Sequence, residues 1–366
     1  MLFFNQIYAF SRLILVCLLG LLLVHCSSNK TQSVSPWAEY KELGAKYTGR
    51  NYLSLPLTQV AQVENQTGVV NQGDFLTQLS KVRNYSPSLN SSHAHTYAKI
   101  TRWVAAGGNV KDLATFDIGM QQMAGFDGYQ NVLMTGYYIP VFQARKQPQG
   151  EYQHPIYALP KNKRFTRAQI YAGALRGQGL ELGYTTMYNV FAMGVQGSGF
   201  ADFGGGKLAH FAYGGQNGFS YTSVGRLLVE DGEVEKEKMS MQAIKEWGER
   251  NPDRFQGLLE RNQSYVFFKH DPTFDVKGAA GVPLVGLASV AVDRNVIPLG
   301  SILLVEIPQL DKKGKWTGEH VLHLAVALDV GGAIKGQHLD LYQGIGDEAG
   351  HTAGLLKHYG RVWVLK

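Results

Sequence analysis

Among the residues of this chain able to do chemistry, Asp329 has the most telling surroundings. It closes the apolar run Val321–Leu328 and precedes Val330-Gly331-Gly332. Apolar neighbours strip water from a carboxyl and favour its neutral form, while glycines let a ligand approach the backbone. A carboxylic acid held protonated near neutral pH can donate a proton and later take one back. Taken in isolation, the same aspartate is a turn residue at a strand end. His338 and Asp340 follow within the block Leu328–Tyr342, and Asp293 follows the run Ser289–Val292. No repeated His or Cys spacing accompanies His338, so no metal is expected and the residue reads as structural or supporting.

A second group lies upstream. In Gln196-Gly197-Ser198-Gly199 a carboxamide and a hydroxyl stand among small residues, which suits a polar, hydroxyl-rich ligand. The G-x-S-x-G elbow of serine nucleophiles is absent, so Ser198 is not expected to attack a substrate. Tyr137, Tyr138, Tyr213 and Tyr342 offer rings with polar tips, suited to stacking on sugars, although any one alone is more often a core residue.

The elements that must position these groups are mostly β. Helical periodicity marks Asp74–Arg83 and His93–Ala106, the latter stopped by Gly107-Gly108. Val132–Tyr138 and Tyr152–Leu159 read as strands, and Thr166-Arg167-Ala168-Gln169 spells a capping box opening a helix to Leu175. The stretch Tyr184–Tyr221, dense in glycine and aromatics, reads as short strands of a barrel or sandwich. Helices follow at Met241–Glu249 and after Asn251-Pro252, with Asn as cap and Pro first in the helix. Strands are expected at Tyr265–Lys269, Ala288–Val292, Ser301–Ile307, Val321–Leu328 and Arg361–Leu365.

At the N-terminus, Arg12 precedes the apolar run Leu13–Val24, too short for a membrane span and matched to the core of a secretory signal. Leu23-Val24-His25-Cys26 resembles a bacterial lipobox, with His25 where a small residue is usual. Residues 1–25 therefore read as a signal peptide, and 26–36 as a lipidated Cys26 followed by a polar tether. Ser27 after the cysteine, where no Asp stands, favours the outer membrane. The chain has two cysteines, Cys17 and Cys26, so neither a disulfide nor a thiolate metal site is expected in the mature fold. Removing residues 1–25 takes away only Arg12 and lowers the formal charge from +6 to +5. That mild excess suits an anionic polymer as well as ordinary solubility, and no clustered basic stripe or nucleic-acid module is present.

Three blocks carry a family resemblance. They are Thr135-Gly136-Tyr137-Tyr138-Ile139-Pro140; Val195–Gly199 with Tyr213, Asn217-Gly218 and Tyr221; and Leu328–Tyr342 with Ser289–Asp293 upstream. In this order they resemble the lytic murein transglycosylase A family, whose last domain is named for three aspartates, here Asp293, Asp329 and Asp340. The resemblance implies a mainly β protein with a few helices: a double-psi β-barrel domain split over 37–130 and 266–366, a second β domain inserted at 131–265, and a substrate groove between them. It further implies cleavage of the β-1,4 bond between N-acetylmuramic acid and N-acetylglucosamine, with a 1,6-anhydromuramyl product and no cofactor.

That chemistry asks for one carboxyl where hydrolases usually pair two. The muramyl C6 hydroxyl is tethered to the reacting sugar and attacks with a large effective molarity, so no water need be activated. By resemblance Asp329 is the acid and base; Thr135, Tyr138, Gln196 and Ser198 bind substrate or support the site. Asp293 and Asp340 either lock loops or act on substrate, and the residues alone leave that open. The expected partners are glycan strands and, through Cys26, the outer membrane facing the periplasm; no protein partner is specified. Two alternatives remain: a two-carboxylate hydrolase, or a non-catalytic lipoprotein that binds peptidoglycan. An aspartic-protease reading lacks the paired D-T/S-G spelling.

Overall fold

The structure, a computed structural model, describes residues 56–125 and 130–366. The expected signal segment, Cys26 and the tether lie outside the described residues, as does the start of the segment 37–130. Fifteen strands are described: β1 (Leu57–Val60), β2 (Met120–Met123), β3 (Val132–Ile139), β4 (Val141–Gln143), β5 (His154–Tyr157), β6 (Glu181–Thr185), β7 (Gly199–Asp202), β8 (Leu208–Gln216), β9 (Val266–Asp271), β10 (Ser289–Ala291), β11 (Ile302–Leu310), β12 (Trp316–Asp329), β13 (His338–Ile345), β14 (Lys357–Gly360) and β15 (Val362–Leu365). Nine form one sheet in the order β1-β2-β15-β11-β12-β10-β13-β3-β14.

The long strands β11 and β12 are buried on both faces over Ile302–Pro308 and Leu322–Leu328, where they read as nearly continuous apolar runs. Side chains alternate across a strand, and here the alternation separates two cores. Ile302, Leu304, Leu322, Leu324, Val326 and Leu328 enter one core, with Phe75, Leu79, Ile100 and Trp103 from the helices Gln72–Tyr85 and Ala94–Ala105. Leu303, Val305, Ala325 and Ala327 turn the other way, to meet Val132, Met134, Val290, Leu339 and Leu341.

At the end of the strand order, β14 returns against β11. A Cβ on Gly360 would lie 1.9 Å from the Glu306 carbonyl oxygen, so only glycine permits this approach. Beside it, Arg361 grips the buried Glu306 carboxylate with two hydrogen bonds, 2.7 and 3.0 Å long. Arg361 also bonds Glu64, and Asn65 donates to Glu306 at 2.7 Å. This fastens the segment before the first helix to the sheet.

The second layer of structure holds the four-stranded sheet β4-β7-β8-β9 and the hairpin β5–β6. Its core is aromatic, with Phe142, Tyr157, Phe211, Phe267 and Phe268, and a helical annex gathers around Trp247, Phe255 and Leu259.

Sheet membership moves the expected limits of the inserted segment by one strand at each end. β3 lies within 131–265, yet it pairs with β13 and β14 in the nine-stranded sheet. β9 lies beyond 265, yet it pairs with β8 in the smaller one. The glycine-rich stretch also differs from expectation. It contains a ten-residue helix, Met187–Gln196, because Thr186 caps it and Gly197 ends it at φ +81°. The capping box at Thr166 forms as spelled, but its helix stops at Tyr171. The helix expected after Asn251 does begin at Pro252, whereas the Asn251 side chain donates back to Trp247 O instead of capping it.

Candidate active site

β3, β12 and β13 bring together the residues that the sequence scatters. Parallel pairing of β13 with β3 sets Asp340 opposite Thr135 and Tyr342 opposite Tyr137. β10 lies between β12 and β13, and Ala291 is in register with Asp329 on one side and Asp340 on the other. The two carboxyls therefore face one small region.

Asp329 keeps a partly open surface while protein surrounds most of its carboxyl. Its Oδ1 accepts from two backbone amides, Ala279 N and Val330 N, both at 2.9 Å. Its Oδ2 accepts only from the Tyr137 hydroxyl, at 3.0 Å. Burial pushes the pKa up, and the three donors, which favour the carboxylate, pull it only part of the way back. With Oδ1 occupied by amides, Oδ2 is the oxygen left to carry and exchange a proton. The Ala279 amide arrives on a loop that crosses close over the aspartate. A Cβ on Gly278 would lie 2.5 Å from Leu328 O, which explains the glycine there.

Asp340 is the second carboxyl largely enclosed by protein, although the residue keeps a partly open surface. Burial raises its pKa to about 7, the hydrogen bond from Thr135 opposes this, and the charge of Asp329 adds to it. Thr135 Oγ1 donates to Asp340 Oδ1 at 2.7 Å and lies 2.8 Å from His338 Nε2. The ring also bonds the Ala333 backbone, so the His338 tautomer decides which of Thr135 and the imidazole donates in that contact. Burial lowers the His338 pKa to about 4, which keeps the ring neutral.

Asp293 has a different place. It is 4% exposed, accepts from Asn295 N and Nδ2 at 3.0 Å, and accepts from Gly336 N at 2.9 Å. Its carboxylate ties the turn after β10 to the loop that follows Asp329. Gln196 Oε1 accepts from Tyr138 N at 3.2 Å, joining the helix Met187–Gln196 to β3. Tyr138 itself turns away from Tyr137 and covers Gly350. Ser198 is buried, with its hydroxyl 2.9 Å from His210 Nε2 and donating to Phe211 O. It joins β7 to β8.

Of the four tyrosines considered as platforms, Tyr342 is 2% exposed and packs on Tyr137, while Tyr213 is 50% exposed. Sequence reasoning passed over the Ala279 and Val330 amides, for which Gly278 and Gly281 were the available signal. Among the described residues no group of three His, Cys, Asp or Glu is arranged to hold a metal.

Two family models match the chain, the MltA specific insert domain over residues 133–269 and the 3D domain over 288–366. The membrane-bound lytic murein transglycosylase A of Escherichia coli K12 is 50% identical over 326 residues, 87% of this chain and 89% of that protein. The chain belongs to the membrane-bound lytic murein transglycosylase A family. The Vibrio cholerae member is 48% identical over 297 residues, 80% of this chain and 81% of its own length. The crystal structure of E. coli MltA with bound chitohexaose superposes with a TM-score of 0.80 at 49% identity, covering 86% of this chain and 96% of that one. Within this family frame, the 3D match takes in Asp293, Asp329 and Asp340, and the insert match takes in Thr135, Tyr138, Gln196 and Ser198.

Proposed function

We propose that this chain is a murein lytic transglycosylase in which Asp329 alone carries out acid and base catalysis. The observation that carries this reading is the division of labour on its carboxyl: burial favours the protonated acid, and two amides hold Oδ1, which leaves Oδ2 for the proton. Protonated Oδ2 gives its proton to the glycosidic oxygen as the bond from N-acetylmuramic acid to N-acetylglucosamine breaks. The muramyl C6 hydroxyl then bonds to C1, and its proton passes to Asp329 Oδ2. The acid is regenerated, no water is consumed, and the new end is 1,6-anhydromuramyl. Tyr137 positions Oδ2 and steadies the carboxylate formed midway. Asp340 and Thr135 shape the field beside it, Asp293 holds the loop after Asp329, and Gln196 with Tyr138 binds the two sheets into one groove wall.

Digestion of sacculi in oxygen-18 water tests this directly. Mass spectrometry should find anhydro ends without solvent label at the muramyl C1. Stoichiometric label there, after correction for reducing-end exchange, would replace the lyase with a two-carboxylate hydrolase using Asp340. Products of neither kind would leave a wall-binding lipoprotein.

The protein is held to the outer membrane, facing the periplasm, by acyl chains on Cys26. The lipobox-like Leu23-Val24-His25-Cys26 and the membrane-bound relatives support this, and among the described residues no helix is long and apolar enough to cross a membrane. Several acyl chains anchor stably where one does so weakly. Cys26→Ala should move the protein from the membrane to the soluble fraction of fractionated cells. Retention that still needs detergent would show that another segment anchors it.

A further inference from the structure

The second sheet system holds a cavity of about 480 Å³ that shares no residue with the site around Asp329. It lies between the hairpin β5–β6, the start of the helix Met187–Gln196 and the helix Pro252–Glu260. Tyr157, Tyr171, Tyr184 and Tyr265 line it, with Tyr157 and Tyr265 almost wholly buried and the Tyr171 hydroxyl bonded by Arg167, and Arg176 and Glu181 contribute opposite charges. Burial raises the Tyr157 pKa, the charge of Glu181 adds to this and that of Arg176 opposes it. Among the described residues neither Arg176 nor Glu181 is in an ion pair. His154 stands in the same wall, kept towards its neutral form by burial.

A guanidinium and a carboxylate on the rim of one aromatic cavity form a complement to a ligand bearing both a carboxylate and an ammonium. Arg offers a fork of donors to the first, and Glu accepts from the second. Tyrosine rings cover short apolar side chains, and a hydroxyl such as that of Tyr184 can reach an amide group. We infer that this cavity binds the peptide stem of peptidoglycan, a short peptide rich in carboxylates with a free amino group. The identity of the ligand rests on the murein-cleaving activity proposed above.

The position suits such a ligand. Gln196, at one end of its helix, bonds Tyr138, the neighbour of the tyrosine on Asp329. Met187, at the other end, lines the cavity. The two ends are about 13 Å apart at the rise of an α-helix. An extended stem of four residues spans about 14 Å, so it can leave the glycan at one end of the helix and reach the cavity at the other.

The test uses the full chain in detergent, carrying Asp329→Asn so that no turnover intervenes. Titration calorimetry with synthetic L-Ala-γ-D-Glu-meso-diaminopimelyl-D-Ala should give saturable binding. Arg176→Met and Glu181→Gln should each weaken it about tenfold, in line with loss of one charged hydrogen bond, with Arg176→Lys between. In the otherwise unchanged enzyme, Arg176→Met should raise KM on stem-bearing strands about three- to tenfold at constant kcat, and leave turnover of stem-free strands untouched. Absence of saturable binding, equal affinity in both variants, or displacement of the peptide by stem-free oligosaccharide would overturn the proposal. Absence of cleavage on either kind of strand would tell against the activity instead, and the calorimetry would still judge the cavity.

Discussion

Asp329→Asn is expected to lower murein turnover about a thousandfold or more while the fold and glycan binding persist, because general acid and base catalysis is removed from both halves of the reaction. Asn retains an oxygen to accept from Ala279 N and Val330 N, as Oδ1 does now. Its amide nitrogen takes the place of Oδ2, and the Tyr137 hydroxyl must rotate to accept where it now donates. What is lost is the exchangeable proton. Stability should not fall, since burial already disfavours the charge that the substitution removes. Steady-state release of anhydro-muropeptides, with thermal melting and chitooligosaccharide binding alongside, reads all three quantities. Turnover near the wild-type level would move the acid elsewhere, with Asp340 next in line. Turnover lost together with binding would make Asp329 a ligand for the sugar and not its proton donor.

Asp340→Asn should slow the enzyme and stabilise it. In the unfolded chain this carboxyl has the ordinary aspartate pKa of 3.8; in the fold it is pushed up to about 7. The sign therefore runs opposite to that of a salt-bridged aspartate. Below pH 3.8 the group is neutral in both states and has no effect. Between pH 3.8 and 7 the unfolded chain releases a proton that the fold retains, so stability falls as pH rises and then levels off. The full shift corresponds to about 4 kcal/mol, and solvent reaching this partly exposed residue leaves on the order of 2 kcal/mol. The variant should thus melt several degrees higher at pH 8, with the gain fading by pH 4. Turnover should drop about tenfold to a thousandfold, as for other electrostatic supports, with the product still anhydro. A variant less stable at pH 8, or one forming reducing ends, would contradict the burial argument or the single-carboxylate mechanism respectively.

Both substitutions concern groups whose importance was unequally visible along the chain. Asp329 could be picked out because its environment is partly local: an apolar strand before it and glycines after it are written in consecutive residues. The Thr166 capping box and the helix start at Pro252 were legible for the same reason, since each depends on contacts within one turn. The helix Met187–Gln196 was not. Glycine and aromatic density suggested strands, while the deciding features were one cap at Thr186 and one left-handed glycine at its end.

What the sequence determined by itself is the set of elements whose periodicity repeats over many residues, the family they spell, and the aspartate whose apolar and glycine neighbours are consecutive in the chain. The tertiary structure alone decided how the three aspartates differ. Asp293 is taken up by Asn295 and Gly336, whereas Asp340 meets Thr135 from 205 residues away. It alone brought the Ala279 amide and the Tyr137 hydroxyl to opposite oxygens of Asp329, and it alone assigned β3 and β9 to their sheets. The physical reason is range. Propensity, capping and alternation act between near neighbours in the chain, but strand pairing and desolvation depend on residues that only folding brings near.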